Sequence, residues 1–138
     1  MARECTSVGY GRGLMSENAP WPTLPSSEWF DTLETLHMYT QVVGKIRMQH
    51  AAWVNHSWSV PLYVSPTGLR TSLVPHGREG FEIALDLLRG RLNITTTTGE
   101  EESFELGSSV ADFYRQTMDG MVKVGMPVTI RPVPSEVP

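Results

Sequence analysis

The sequence predicts an α+β domain: an antiparallel meander of about five to six strands, with two helices packed on one face of the sheet. Three observations carry this. Apolar residues recur at three- and four-residue spacing in two stretches, one before and one after the middle of the chain. Between those stretches the period changes to two, and β-branched and aromatic residues fill the alternate positions. Turn signals built on Gly and Pro divide this middle region into short runs, so successive strands must be antiparallel neighbours.

Taken in order, residues 1–19 read as a flexible amino-terminal tail, with Gly9, Gly11 and Gly13 and few apolar residues. Met15 is an alternative start. Residues 20–138 then form a single α+β domain, opening at Pro20-Trp21-Pro22, where two prolines extend the backbone and a tryptophan docks. Pro25-Ser26-Ser27 supplies a helix start, with Glu28 and Asp31 in the first turn, where the dipole favours negative charge. The helix runs to about Met48, burying Trp29, Leu33, Leu36, Val43 and Ile46, a stripe widened by Tyr39 and Val42. Lys45 and Arg47 suit its negative pole.

From Ser57, the residues Trp58, Val60, Leu62 and Val64 alternate as a half-buried strand, and Pro61 makes it an edge or a bulged strand. Pro66-Thr67-Gly68 turns into a second strand, Leu69 to Val74, and Pro75-His76-Gly77 is a loop. Phe81, Ile83, Leu85 and Leu87 mark the next strand. Arg89-Gly90 turns into Leu92, Ile94 and the threonine run Thr95 to Thr98, and Phe104 and Leu106 mark another strand after the Gly99 turn. Ser109 with Asp112 is a capping box for the second helix, which buries Val110, Phe113, Tyr114, Thr117, Met121 and Val124 and stops at Gly125. A last strand, Val128 to Ile130, precedes the Pro-rich end. The four tryptophans, Trp21, Trp29, Trp53 and Trp58, read as core or cap residues.

The 138 residues allow one domain, and a hydrophobic fraction of 40 % with 19 % charged residues is ordinary for a globular chain. A net charge of −4 and dispersed arginines argue against nucleic acid, which needs a basic footprint. Cys5 is the only cysteine, so an intrachain disulfide is excluded and a reducing, cytoplasmic setting is expected. No apolar run approaches the roughly 20 residues that span a bilayer, so no membrane partner is expected.

One feature of the first helix exceeds what packing needs. His37, Gln41 and Lys45 recur every four residues, stacking along one side with Gly44 beside them. Asn55 and His56 stand between Trp53 and Trp58 at the entry to the first strand. If the two segments meet, His37, Gln41, Lys45, Asn55, His56 and Trp58 line one pocket for a small polar or anionic ligand, or for acid–base chemistry. A solvated helix face followed by a turn accounts for the same residues without a ligand. His37, His50, His56 and His76 lack a zinc-ligand spacing, and no nucleophile elbow, P-loop or dinucleotide fingerprint occurs, so neither metal nor cofactor is expected.

The stretches Trp21-Pro22-x-Leu24-Pro25-x-x-Glu28-Trp29, Thr35 to Arg47, Trp53 to His56, Leu62 to Leu69 and Ser109 to Tyr114, with the Pro132–Pro138 end, carry a family resemblance. In them the chain resembles a bacterial family of uncharacterised proteins, domain of unknown function 5996. Members of that family look about twice as long, with a second half that repeats the helix-then-strand pattern, so the resemblance implies either a natural single-module version or the amino-terminal half of such a protein. It supplies no activity. His37, Gln41, Lys45, Asn55 and His56 match the family motif, whereas His76 stands where the resemblance implies a tyrosine. The leading expectation is an uncharacterised module that binds a small molecule near the first helix. The alternatives are a small enzyme using His37 and His56 as acid and base with Lys45 as anion contact, or a module that pairs with a second copy or with a missing second module.

Overall fold

The computed structural model describes residues 23–135. The expectations for the tail, for Cys5 and for the Pro20-Trp21-Pro22 opening lie outside the described residues. The chain divides into two compact units, up to Phe30 and from Asp31 onward. The junction falls inside helix α1 (Ser26–His50), just after Trp29, whose backbone angles (φ −137°, ψ 23°) interrupt the helical geometry. In the first unit, Glu28 N–H donates to the Pro25 carbonyl at 3.0 Å, closing the opening turn.

The second unit holds a six-stranded antiparallel sheet, open at both edges, with a second helix, α2 (Val110–Lys123). The strands are β1 (Tyr63–Ser65), β2 (Gly68–Arg70), β3 (Val74–His76), β4 (Glu79–Asp86), β5 (Arg91–Thr96) and β6 (Glu101–Glu105). They run in the order β1-β2-β4-β5-β6, and β3 shares the β2 side of β4. Phe81, Ile83 and Leu85 of β4 face Thr96, Ile94 and Leu92 of β5 across the ladder, so the β4–β5 centre of one face is buried and mostly apolar. Onto it α1 places Tyr39, Val42, Val43 and Ile46, and α2 places Phe113 and Met121. The opposite face carries Glu82, Asn93, Ser103 and Glu105, the alternation expected of a sheet covered on one side.

The α2 boundaries follow from its caps. Ser109 Oγ accepts the Asp112 N–H at 3.1 Å and donates to the Asp112 carboxylate at 2.8 Å, and Gly125 (φ 75°) turns the chain away. Gly120 lets α2 approach the sheet, since a Cβ there would stand 2.9 Å from Ile94 Cδ1.

Several expectations are corrected. The strand expected from Ser57 shrinks to Tyr63–Ser65; Asn55–Ser57 form a 3-10 turn instead, with His56 and Ser57 both left-handed. Trp53 and Trp58 are therefore not core residues but stand 75 % and 70 % exposed. Leu33 is also exposed, so the buried side of α1 begins nearer its middle, at Leu36 and Tyr39. The single second strand is split into β2 and β3 by a bulge at Thr71–Ser72. Thr71 Oγ1 takes the Ile83 N–H at 3.0 Å while its own N–H reaches the Ile83 carbonyl at 2.9 Å, and Ser72 takes a left-handed φ of 58°. That places His76 in a strand, opposite Glu79, rather than in a loop. Val128 to Ile130 form no strand; Ile130 is buried from an irregular segment outside the sheet.

Candidate functional site

With Tyr39, Val42, Val43 and Ile46 turned into the core, α1 presents His37, Gln41 and Lys45 on another side, and the Pro-rich end of the chain lies along them. Gln41 Nε2 donates to the Ser135 carbonyl at 3.0 Å, and Gln41 Oε1 accepts the Ser135 N–H at 2.9 Å. This pair fixes the amide orientation, so the 3.2 Å contact between Gln41 Nε2 and His37 Nε2 has the imidazole nitrogen accepting. Lys45 Nζ donates to the Arg131 carbonyl at 3.3 Å and also to the Val133 carbonyl. Pro132 and Pro134 have no N–H to satisfy, which suits a segment held by side chains rather than by a sheet ladder. The polar stripe is thus a clasp for an irregular strap, residues 131–135, bent at Val133 and Ser135.

The strap closes a hollow of about 450 Å³ between α1 and α2. Met38, Val42, Val110, Tyr114 and Ile130 make its walls apolar, while Gln41, Lys45 and Arg131 add polar groups. A second, more open groove of about 470 Å³ runs along the outer side of α1, lined by His37, Thr40, Gly44, Met48, Val60 and Ser135 among others. A Cβ on Gly44 would meet nothing within 4 Å, so this glycine is not demanded by packing and leaves the groove floor open. The structure therefore brings His37, Gln41 and Lys45 together. Asn55, His56 and Trp58 stand exposed on the 3-10 turn and the residue after it, and line neither hollow. Among the described residues, no three His, Cys, Asp or Glu side chains group as metal ligands, and no helix is long and apolar enough to cross a membrane.

Sequence reasoning missed a histidine pair. His50, the last residue of α1, lies with its ring centroid 5.3 Å from that of His76 on β3, and both rings pack near Phe81 (6.1 and 6.3 Å). His76 Nε2 is 3.1 Å from the Pro127 carbonyl, whereas the buried His50 Nε2 has no partner. Burial, and then the neighbouring His76, lower the His50 pKa from its ordinary value of 6.5. The unfolded chain then binds a proton more readily than the native one, so stability is complete above pH 6.5 and falls as the pH drops below it. Melting temperatures of His50→Gln are expected to fall less steeply than wild type between about pH 6.5 and 5; parallel curves would show that His50 does not carry this dependence. No spacing rule could have found the pair, because the β3–β4 register alone brings His76 to the end of α1.

Compared with curated proteins and with solved structures, the chain finds no match. A family model does match, over residues 21–138, and so spans α1, the whole sheet, α2 and the strap. The motif residues quoted above all lie within that span. By this match the chain belongs to the Family of unknown function (DUF5996).

Proposed function

We propose that this domain binds a small amphipathic anion in the hollow between α1 and α2, with the strap as its cover. The observation that carries the reading is the hollow itself: apolar walls, a volume of about 450 Å³, and two cationic side chains, Lys45 and Arg131, among its lining. That volume lies in the usual range for small-molecule sites, which are mostly apolar with a few placed polar groups. The Lys45 ammonium has three donors and gives two to the strap, so one remains for an anionic head. An apolar tail would rest against Val42, Val110 and Tyr114.

Octanoate and octylamine test this, since they share a tail and differ in head charge. Octanoate is expected to raise the melting temperature, by an amount equivalent to about 2.7 kcal/mol at a hundredfold excess over its Kd, and octylamine is not. Lys45→Met removes the head contact and should abolish the shift. Gln41→Ala loosens the strap but keeps both cations, and should retain it. Equal shifts from the two probes, or none from octanoate, refute the reading.

A further inference from the structure

Arg47 follows Lys45 by two residues, a rotation of about 200° on a helix, so the two cations leave α1 on different sides. Arg47 is only 6 % exposed. Its Nε donates to the Ser59 carbonyl at 2.6 Å, and its guanidinium carbon stands 4.9 Å from the centre of the Tyr63 ring. Its Nη1 is sealed from solvent without a hydrogen-bond partner. The contrast with the other arginines is informative. Arg70, Arg89, Arg91 and Arg115 each meet a carboxylate with their side chains at least partly in solvent, and Arg78 and Arg131 are exposed. Among the described residues, the buried one meets none.

An isolated ion in a protein interior is costly unless it is paired and hydrogen-bonded. A carbonyl and an aromatic face supply partial negative charge, but they leave Nη1 without an acceptor. We infer that Arg47 is the anchor of a carboxylate-binding site, separate from the hollow between the helices. A planar carboxylate matches the fork in a way a spherical ion cannot. Tyr63 provides the route, because its ring covers the guanidinium while remaining half exposed (49 %). The residues flanking the Ser59 contact, Trp58 and Val60, add apolar surface, and Trp58 is 70 % exposed. The site thus suits a carboxylate attached to an aromatic or apolar body, either a free small acid or an acidic side chain beside an apolar one.

The test follows the Arg47 Nε–Hε resonance of the intact protein by nitrogen–proton NMR at constant ionic strength. The probes are benzoate for the free acid, the blocked dipeptide acetyl-Phe-Glu-amide for the peptide source, and chloride as control. A saturable displacement by benzoate or the dipeptide, but not by chloride, is expected, and the tighter probe names the source. Arg47→Lys keeps the charge but loses the fork, and should weaken binding about tenfold or more. Should that variant fail to fold, the wild-type titration still decides. Lys45→Met, which disables the octanoate site, should leave the Arg47 response intact, so the two proposals fail separately. A resonance that neither carboxylate moves, or equal binding by Arg47→Lys, overturns the inference.

Discussion

Phe113→Ala is expected to lower the free energy of unfolding by about 3–5 kcal/mol. Phe113 is fully buried, stacked on Tyr39 at 3.9 Å with the rings 11° from parallel, and it meets Phe104 edge-on at 5.8 Å. One ring therefore joins α1, α2 and β6. Its surroundings cannot collapse into the space it would vacate. The Tyr39 hydroxyl donates to the Ser108 carbonyl, and Ser109 caps α2 one residue later, so the helix start is held from both sides. The truncation thus combines lost transfer energy with a persistent void. Its consequences extend to the proposed ligand site, because Val110 and Tyr114, on either side of Phe113 on α2, line the hollow. Phe113→Leu retains most of the volume and should cost much less, about 1–1.5 kcal/mol. Urea unfolding of the two variants decides: a loss below about 1 kcal/mol for the alanine variant would mean that the stack does not join the helices.

How much of this was legible depended on which physical signal each element uses. The second helix could be read residue by residue, because capping chemistry and helical periodicity are both local: Ser109, Asp112, Phe113, Thr117, Met121 and Gly125 all serve as their types suggest. The β4–β5–β6 meander was legible for the same reason, alternation against one buried face. Where the readings failed, a side chain or a turn had taken over a backbone's work. Trp58, Val60 and Leu62 alternate, yet they belong to a turn and an irregular stretch, since two left-handed residues, His56 and Ser57, precede them. The split between β2 and β3 depends on Thr71 offering its hydroxyl in place of a ladder partner, and no hydropathy pattern encodes that. The helix-one stripe was visible as a polar repeat, but its occupant was not. Gln41 and Lys45 bind main-chain groups of residues 131–135, and main-chain groups are the same in every sequence. Arg47 shows the same blindness: its position near the helix end suggested only a cation suited to the negative pole of the dipole, whereas the Ser59 carbonyl and Tyr63 hold it inside.

Gly68→Ala tests the sheet edge that carries Tyr63, and it should cost about 3–5 kcal/mol, among the severe effects of single substitutions. Gly68 opens β2 at the turn from β1 and pairs with Asp86 of β4. Its φ of +150° lies outside the range comfortable for residues with a Cβ. A Cβ there would also stand 2.1 Å from the Leu85 carbonyl oxygen and 3.0 Å from Leu87 N. Both are backbone atoms, so no rotamer change relieves the contact. The neighbouring bond from Leu87 N–H to the Thr67 carbonyl, 2.8 Å long, holds the turn against β4 and prevents a small retreat. The strain must be relieved by separating β1 and β2 from β4, which should appear as lost amide-exchange protection at Thr71, whose N–H pairs with the Ile83 carbonyl. Because β1 carries Tyr63 to the Arg47 guanidinium, the same variant should also weaken any carboxylate response at Arg47. Gly77→Ala is the matched control. Gly77 has φ +63° and nothing within 4 Å of the added carbon, so only the left-handed penalty of about 1 kcal/mol applies. Equal melting temperatures for the two variants would mean that β2 does not lie as close to β4 as the geometry requires.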